Sequence, residues 1–342
     1  MKLLIKTIAL IFLIFTAFGA QAALPAKSDT EAMLPYMTAV KNQGGRSLCT
    51  VFSFTALLES LILKKFPQIK PKQLDLSEQW AQYVFALKSK SGGGSGAFLE
   101  DIFTQVKKYG IADEQYLPYD GTLWSAQSPQ LSIERCGPLK DVMSQRRCYS
   151  SHYSPTLIGL DDTKLTDLGY EDFAQARASA QQNFELIGDI KSATVSLQKA
   201  KEYLAKGIPV ALKVRVYFGS WNHAAGKQYG IDIDANQYAK GVVTYPDAGS
   251  MDRIMSEKNP VAIHSVLLIG YDDTVPVTYN RLMKDGTTKQ LTRTGVFYFK
   301  NSWSKQTFGK NFKLGKKTVP GFGMIVQDYA AMGQFFVMSL GE

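Results

Sequence analysis

Apolar positions in the first third of the chain recur with a helical period. From Cys49 the chain reads CTVFSFTALLESLILKKF, and Val51, Phe52, Phe54, Leu57, Leu58, Leu61 and Ile62 are spaced as in a largely buried helix. The preceding VKNQGGRSL is polar and carries glycine, so a loop is expected to end where this helix begins, with Cys49 in the first helical turn. LDLSEQWAQYVFAL predicts a second helix with Ser77 as its N-cap. After the glycine-rich SGGGSG a third, within AFLEDIFTQVKKYG, stops at Gly110, and Pro118-Tyr119-Asp120-Gly121 marks a turn.

Beyond that turn the pattern changes twice. Residues 122–193 show little apolar periodicity until the helix-like stretch from Tyr170 through FAQARASAQQNF, and they read as an insertion. A helix over SLQKAKEYLAKG then leads into PVALKVRVY, AIHSVLLIGY and TGVFYFKN, β-branched and aromatic runs bounded by turn residues, as strands are. The organisation predicted is a helical part at about 45–121, an insertion at about 122–193 and a strand-rich part at about 194–342. No internal repeat or low-complexity tract is evident.

The opening MKLLIKTIALIFLIFTAFGAQA places Lys2 and Lys6 before an unbroken apolar run and ends in Ala20-Gln21-Ala22, the small-x-small pattern of a cleavage site. Residues 1–22 are therefore expected to be a signal peptide, with the mature chain starting near Ala23 and working in the periplasm or beyond the cell. A retained anchor is the alternative, disfavoured because about 20 apolar residues are needed to span a bilayer.

Length and composition, 342 residues at 45% hydrophobic, support a sizeable core in one large domain or two packed halves and argue against disorder. The formal charge of +9 loses two lysines with the leader. The remaining basic residues are scattered rather than aligned in a stripe, which argues against nucleic acid as a partner and leaves at most a loose attraction to anionic envelope polymers. A monomer is expected.

Cysteine usage brings in the chemistry. Only Cys49, Cys136 and Cys148 occur, and an oxidising compartment favours pairing. Cys136 and Cys148 lie close together in a polar segment and are the economical disulfide, leaving Cys49 as a free thiol that is either inert in the core or kept for reaction. A metal site on Cys136, Cys148 and His152 would lack a fourth ligand nearby.

A thiolate rather than a thiol attacks a carbonyl, so a nucleophilic cysteine needs a helix N-terminus, an imidazolium, or both. The helix start supplies only about 0.3–1 kcal/mol at an exposed site, so a histidine must do most of the work. Of the three histidines, His264 lies in a predicted strand, whereas His223 and His152 default to surface positions.

These residues carry a family resemblance. QGGRSLCTVF (Gln43–Phe52) resembles the nucleophile segment of papain-like cysteine peptidases. It is followed in the same order by LSEQ (Leu76–Gln79), the glycine run Gly92–Gly96, YGIADEQYLPYDG (Tyr109–Gly121), HSVLLIGY (His264–Tyr271) and KNSW (Lys300–Trp303). The resemblance spans roughly residues 38–330. It implies an α+β, two-lobed fold, a helical left lobe facing a β-rich, barrel-like right lobe with the active cleft between them.

It also implies roles. Cys49 would be the nucleophile, His264 its base and later the acid, Asn301 the group that orients the imidazole, and Gln43 an oxyanion-hole donor beside the Cys49 amide. Trp303 would shield the triad, and Gly93 and Gly94, whose alignment slides along GGGSG, would pair with substrate backbone. The activity implied is hydrolysis of peptide bonds through a thioester acyl-enzyme, with peptide or protein as substrate and no metal or organic cofactor. The alternatives are an inactive papain-fold module that binds peptides and an amidase or transpeptidase acting on cell-wall peptides.

Several positions depart from the family pattern. Arg46 and Thr50 stand where a disulfide cysteine and a tryptophan are usual, and Ser304 and Phe308 where glycine and tryptophan are usual. His264 and Asn301 lie further downstream than the roughly 130–150 residues common in the family, which calls for insertions at 122–193, 222–260 and 272–293. The short stretch after Ala23 leaves no room for a long helical pro-segment.

Overall fold

In the computed structural model, residues 23–90, 99–259 and 262–341 are described. Residues 1–22, read as a signal peptide, and Gly93 and Gly94 lie outside the described residues. The helices are α1 (Cys49–Lys65), α2 (Glu78–Lys88), α3 (Leu99–Tyr109), α4 (Gln130–Cys136), α5 (Val142–Ser151), α6 (Asp162–Asp167), α7 (Glu171–Ile187), α8 (Leu197–Ala205), α9 (Ala235–Ala239), α10 (Met251–Lys258) and α11 (Gln327–Ala330). The strands are β1 (Ile190–Val195), β2 (Val210–Arg215), β3 (Val242–Val243), β4 (Ile263–Leu282), β5 (Thr288–Lys300), β6 (Lys313–Leu314), β7 (Lys317–Thr318), β8 (Phe322–Val326) and β9 (Gln334–Leu340).

The helix punctuation follows local chemistry. Ser77 caps α2 by accepting the Trp80 amide at 2.9 Å. Gly110 ends α3 at φ +71°, a left-handed conformation that glycine adopts without a side-chain clash. Helix α1 is apolar nearly all round and buried nearly all round, from Cys49 through Leu63 with only Ala56 partly exposed, which marks a central helix rather than a surface one.

Two apolar cores result. One gathers Phe54, Leu58, Trp80, Tyr83, Ile102 and Phe173 from the helices, and the other gathers Leu212, Val266, Leu268, Phe297, Phe299 and Ile325 from the strands. Strand β4 divides them. Leu267 and Ile269 point into the helical core, while Val266 and Leu268 point into the strand core. From His264 to Tyr271 both faces of this strand are thus buried, and the alternation there sorts side chains between two cores rather than between core and water.

The main sheet runs β1-β9-β2-β4-β5-β8-β3, antiparallel except where β3 joins β8. This α+β, papain-like arrangement agrees with expectation in its helical and strand-rich halves. The barrel-like closure expected of the right lobe is not seen among the described strands, because the order is open at β1 and β3. Helices α3 and α9 lie against those two edges instead.

The 122–193 segment, weakly periodic in sequence, holds helices α4 to α7. Asp141 and Asp161 cap α5 and α6 through the Ser144 and Lys164 amides. Cys136 and Cys148 form the expected disulfide, pinning the end of α4 to α5 with Cα atoms 5.6 Å apart. With both sulfurs so engaged, a Cys136/Cys148/His152 metal site has no thiolate to offer.

Candidate active site

Cys49 opens α1 and is the free cysteine, buried to 6% exposure. The amides of a helix's first turn have no intrahelical acceptor and carry partial positive charge toward this position. The thiol donates to the carbonyl of Ile263 at 3.7 Å, the residue immediately before His264. Burial pushes the thiol up from its ordinary range, against the Ser265 and Thr50 groups that bond to it and the nearby charge of Lys213.

His264 enters from the start of β4, paired across from Val214 of β2, and is almost fully buried. Its Nε2 lies 2.7 Å from Asn301 Oδ1, and that same oxygen accepts the Ser302 amide at 2.8 Å. Because the Asn301 atom is an acceptor, Nε2 must carry the hydrogen, which leaves Nδ1 as the nitrogen able to take a proton. Burial drives the imidazole down to about 4, with the Asn301 bond pulling the other way.

Aromatic rings enclose this bond. Trp303 stacks on the imidazole with centroids 4.2 Å apart, Trp221 meets it edge-on at 5.2 Å, and Phe299 and Phe308 back Trp221. Phe308, which replaces the family's usual tryptophan, is fully buried in this cluster. Ser304 adopts φ +64°, a left-handed conformation that explains why glycine is usual there.

Gln43, in the loop before Cys49, has its groups engaged. Its amide donates to Ser302 O at 2.9 Å and its carbonyl accepts from the Tyr119 hydroxyl at 2.8 Å. Its side-chain oxygen accepts from Ser302 Oγ at 2.7 Å, and Nε2 donates to Arg46 O at 3.1 Å. One Nε2 hydrogen is left over from these contacts.

Sequence reasoning missed two supports of the site. The first is Arg46, which stands where a disulfide cysteine is usual. Its buried guanidinium in fact bonds Gln79 Oε1, Asp120 O and Ser150 O, so the nucleophile loop is braced by hydrogen bonds where a disulfide is usual. The second is a buried ionic network between the lobes. Lys41 Nζ reaches Glu59 at 3.1 Å and Glu78 at 2.9 Å, and Lys300, the residue before Asn301, donates to Thr38 Oγ1, which donates to Glu59.

Burial opposes ionisation of Glu59, but the Lys41 and Lys300 charges outweigh it and hold this carboxyl below its ordinary range. Burial brings Lys300 down to about 8. A glutamate inside the apolar run LLESLIL was the available signal for this network.

The other two histidines are not surface residues. His152, at the C-terminal end of α5, is 3% exposed and stacked on Trp124 at 4.1 Å. Burial and the Arg46 charge lower it to about 3. His223 is half-buried beside Trp303, its Nδ1 accepting the Ala225 amide at 3.2 Å.

Residues 24–317 match the profile of the Papain family cysteine protease. The match covers well over half of the chain, which therefore belongs to that family and is a cysteine-type peptidase, a hydrolase whose substrates are peptides or proteins. Among solved structures it resembles xylellain, a cysteine protease from Xylella fastidiosa, at 16% identity over 94% of this chain and 88% of that one, with a TM-score of 0.55. This likeness speaks for the fold.

Also similar are the digestive procathepsin L2 proteinase from Tenebrio molitor larval midgut, at 19% identity over 94% of this chain and 70% of that one, TM-score 0.48, and the bromelain protease from Ananas comosus in complex with the E64 inhibitor, at 17% identity, 93% and 100% coverage, TM-score 0.47. No curated protein matches the chain at a significant level.

Proposed function

We propose that the chain is an exported peptidase whose Cys49, His264 and Asn301 act as a triad, with Gln43 as oxyanion donor and Trp303 as the cover over the His264–Asn301 bond. The observation that supports this best is that bond, 2.7 Å long beneath Trp303, with the Cys49 thiol resting on the backbone carbonyl next to the same histidine. Rotation of the thiol toward Nδ1 passes its proton to the ring. The thiolate–imidazolium pair then has no net charge to bury, and the two groups titrate as a unit.

The sulfur adds to the scissile carbonyl carbon, and the oxygen that becomes negative is met by the free hydrogen of Gln43 Nε2 and the Cys49 amide. The C–N bond breaks as His264 protonates the leaving amine. Water, deprotonated by the same ring, then releases the acid from the thioester. Asn301 keeps the ring in the tautomer this sequence needs. The leader-like first 22 residues and the disulfide support export to the periplasm or beyond. Among the described residues no helix is long and apolar enough to cross a membrane.

Purified mature protein should cleave fluorogenic peptides, and Cys49→Ala should abolish the cleavage. Equal cleavage by both proteins, or by neither, contradicts the reading. One observation favours a second reading, a peptide-binding module without turnover: the thiol bonds to Ile263 O rather than to the ring, while burial favours the neutral form of both groups. A thiol-reactive peptide epoxide separates the two, because only the peptidase gives an adduct on Cys49.

A further inference from the structure

We infer that Arg46 is a positioning residue for the oxyanion-binding amide of Gln43, and that through it the α4–α5 pair closed by Cys136–Cys148 becomes part of the catalytic assembly. The inference rests on the peptidase reading. Arg46 stands where relatives usually have half of a disulfide, and its side chain is 4% exposed. Its guanidinium donates to three acceptors on three separate segments: Gln79 Oε1 of α2 at 2.8 Å, Asp120 O of the turn at 2.6 Å and Ser150 O in the last turn of α5 at 2.6 Å.

Two routes lead from that guanidinium to Gln43. The Arg46 carbonyl accepts from Gln43 Nε2 at 3.1 Å. The Tyr119 ring, 5.0 Å from the guanidinium carbon, carries the hydroxyl that donates to Gln43 O at 2.8 Å. The residue that would present the oxyanion donor is therefore held from its backbone and from its side chain by Arg46 and the ring beneath it.

The third acceptor explains the reach of the device. The terminal carbonyls of a helix have no intrahelical donor, and Arg46 satisfies one of them in α5. Ser150 lies two residues past Cys148, whose disulfide fixes α5 against α4. Displacing α5 would leave a buried guanidinium short of an acceptor, a costly state, so the positions of α5 and of the nucleophile loop specify each other. Lysine cannot replace this function, because a single ammonium lacks the planar fork that reaches divergent acceptors.

The test compares wild type with Arg46→Met, Arg46→Lys, Tyr119→Phe and the Cys136→Ser/Cys148→Ser double variant, reading kcat and KM on a fluorogenic peptide amide and the rate of Cys49 alkylation by iodoacetamide. Alkylation displaces iodide at a CH2 group and builds no oxyanion, so a fault in donor placement lowers kcat while KM and alkylation stay near wild type. Arg46→Met, Arg46→Lys and the disulfide-free protein should lose about 30- to 300-fold in kcat, somewhat less than the roughly 10²–10³-fold of a donor removed outright. Tyr119→Phe, which removes only a hydroxyl, should lose about 3- to 10-fold.

Gln43→Ala/Arg46→Met should be no worse than Gln43→Ala alone. Wild-type kcat in Arg46→Met or in Tyr119→Phe overturns the inference, as does alkylation that falls in step with kcat or additive losses in the double variant. If Arg46→Met fails to fold, Tyr119→Phe still decides. Absence of Cys49-dependent cleavage in the wild type removes the peptidase reading itself, and this inference with it.

Discussion

The His264 ring lies among Trp221 and Trp303 with a single hydrogen bond to Asn301, whereas Gln43 is tied by Ser302, Tyr119 and Arg46 through bonds to every polar group it has. With His264 as the proposed base and Gln43 as the proposed oxyanion donor, the two flanks serve opposite requirements. A base must gain and lose a proton in each cycle, so its partners are few and its surroundings dry, which strengthens the one bond that orients it. An oxyanion donor must not move, and directional bonds at both ends hold it better than apolar packing does.

Breaking the dry flank at its centre should have the largest effect. His264→Ala should lower kcat by on the order of 10⁵–10⁶-fold, as removal of a triad member does elsewhere. A loss below about a hundredfold, measured on the same fluorogenic peptide, would mean that the base lies elsewhere. Gln43→Ala should cost about 10²–10³-fold in kcat with KM little changed. An equal rise in KM would instead make Gln43 a contact for the bound substrate.

The dryness itself has a pH signature. In the folded protein His264 takes up its proton only near 4, whereas an unfolded histidine takes it near 6.5. Between those values the unfolded chain binds more protons. Stability is therefore complete above about pH 6.5 and falls as the solution is acidified, by about 3 kcal/mol at pH 4. His152, lowered to about 3, extends the same trend to more acid solution. Urea unfolding at stepped pH checks this, and a flat profile from 7 to 4 would contradict the burial of both rings.

On the dry flank the smallest effect expected is that of Trp303→Ala. Opening the His264–Asn301 bond to water should cost about 5- to 20-fold in kcat and raise the pH at which activity is lost on the acid side. An unchanged acid limb would show that Trp303 packs without screening.

How much of this was legible in the sequence depends on range. The start of α1 at Cys49, the Ser77 cap and the Gly110 stop were readable because each rests on contacts a few residues apart. The His264–Asn301 contact was readable only through the family resemblance, since nothing in spacing alone joins those two strands. Arg46 read as a missing cysteine, because its acceptors at Gln79, Asp120 and Ser150 lie far along the chain.

The same limit hid the Lys41–Glu59–Glu78 cluster, where each charge alone looks like a surface residue and only the fold pairs them in the interior. Helices α4 to α6 were missed for a different reason. They are short and polar, and α5 and α6 are set by aspartate caps rather than by an apolar stripe. His152 was misplaced because the Trp124 ring stacked on it lies 28 residues upstream, a contact that local sequence does not reveal.

The rate of Cys49 alkylation by iodoacetamide as a function of pH, in wild type and in His264→Ala, bears most directly on whether thiol and imidazole share a proton. Pairing predicts rapid alkylation of the wild type at pH 6, well below the roughly 8.5 at which an ordinary thiol ionises, and a shift of the variant above that value because burial then outweighs the Ser265, Thr50 and Lys213 groups that oppose it. A wild-type rate that rises only above about 8.5 and is unmoved by the substitution would contradict it.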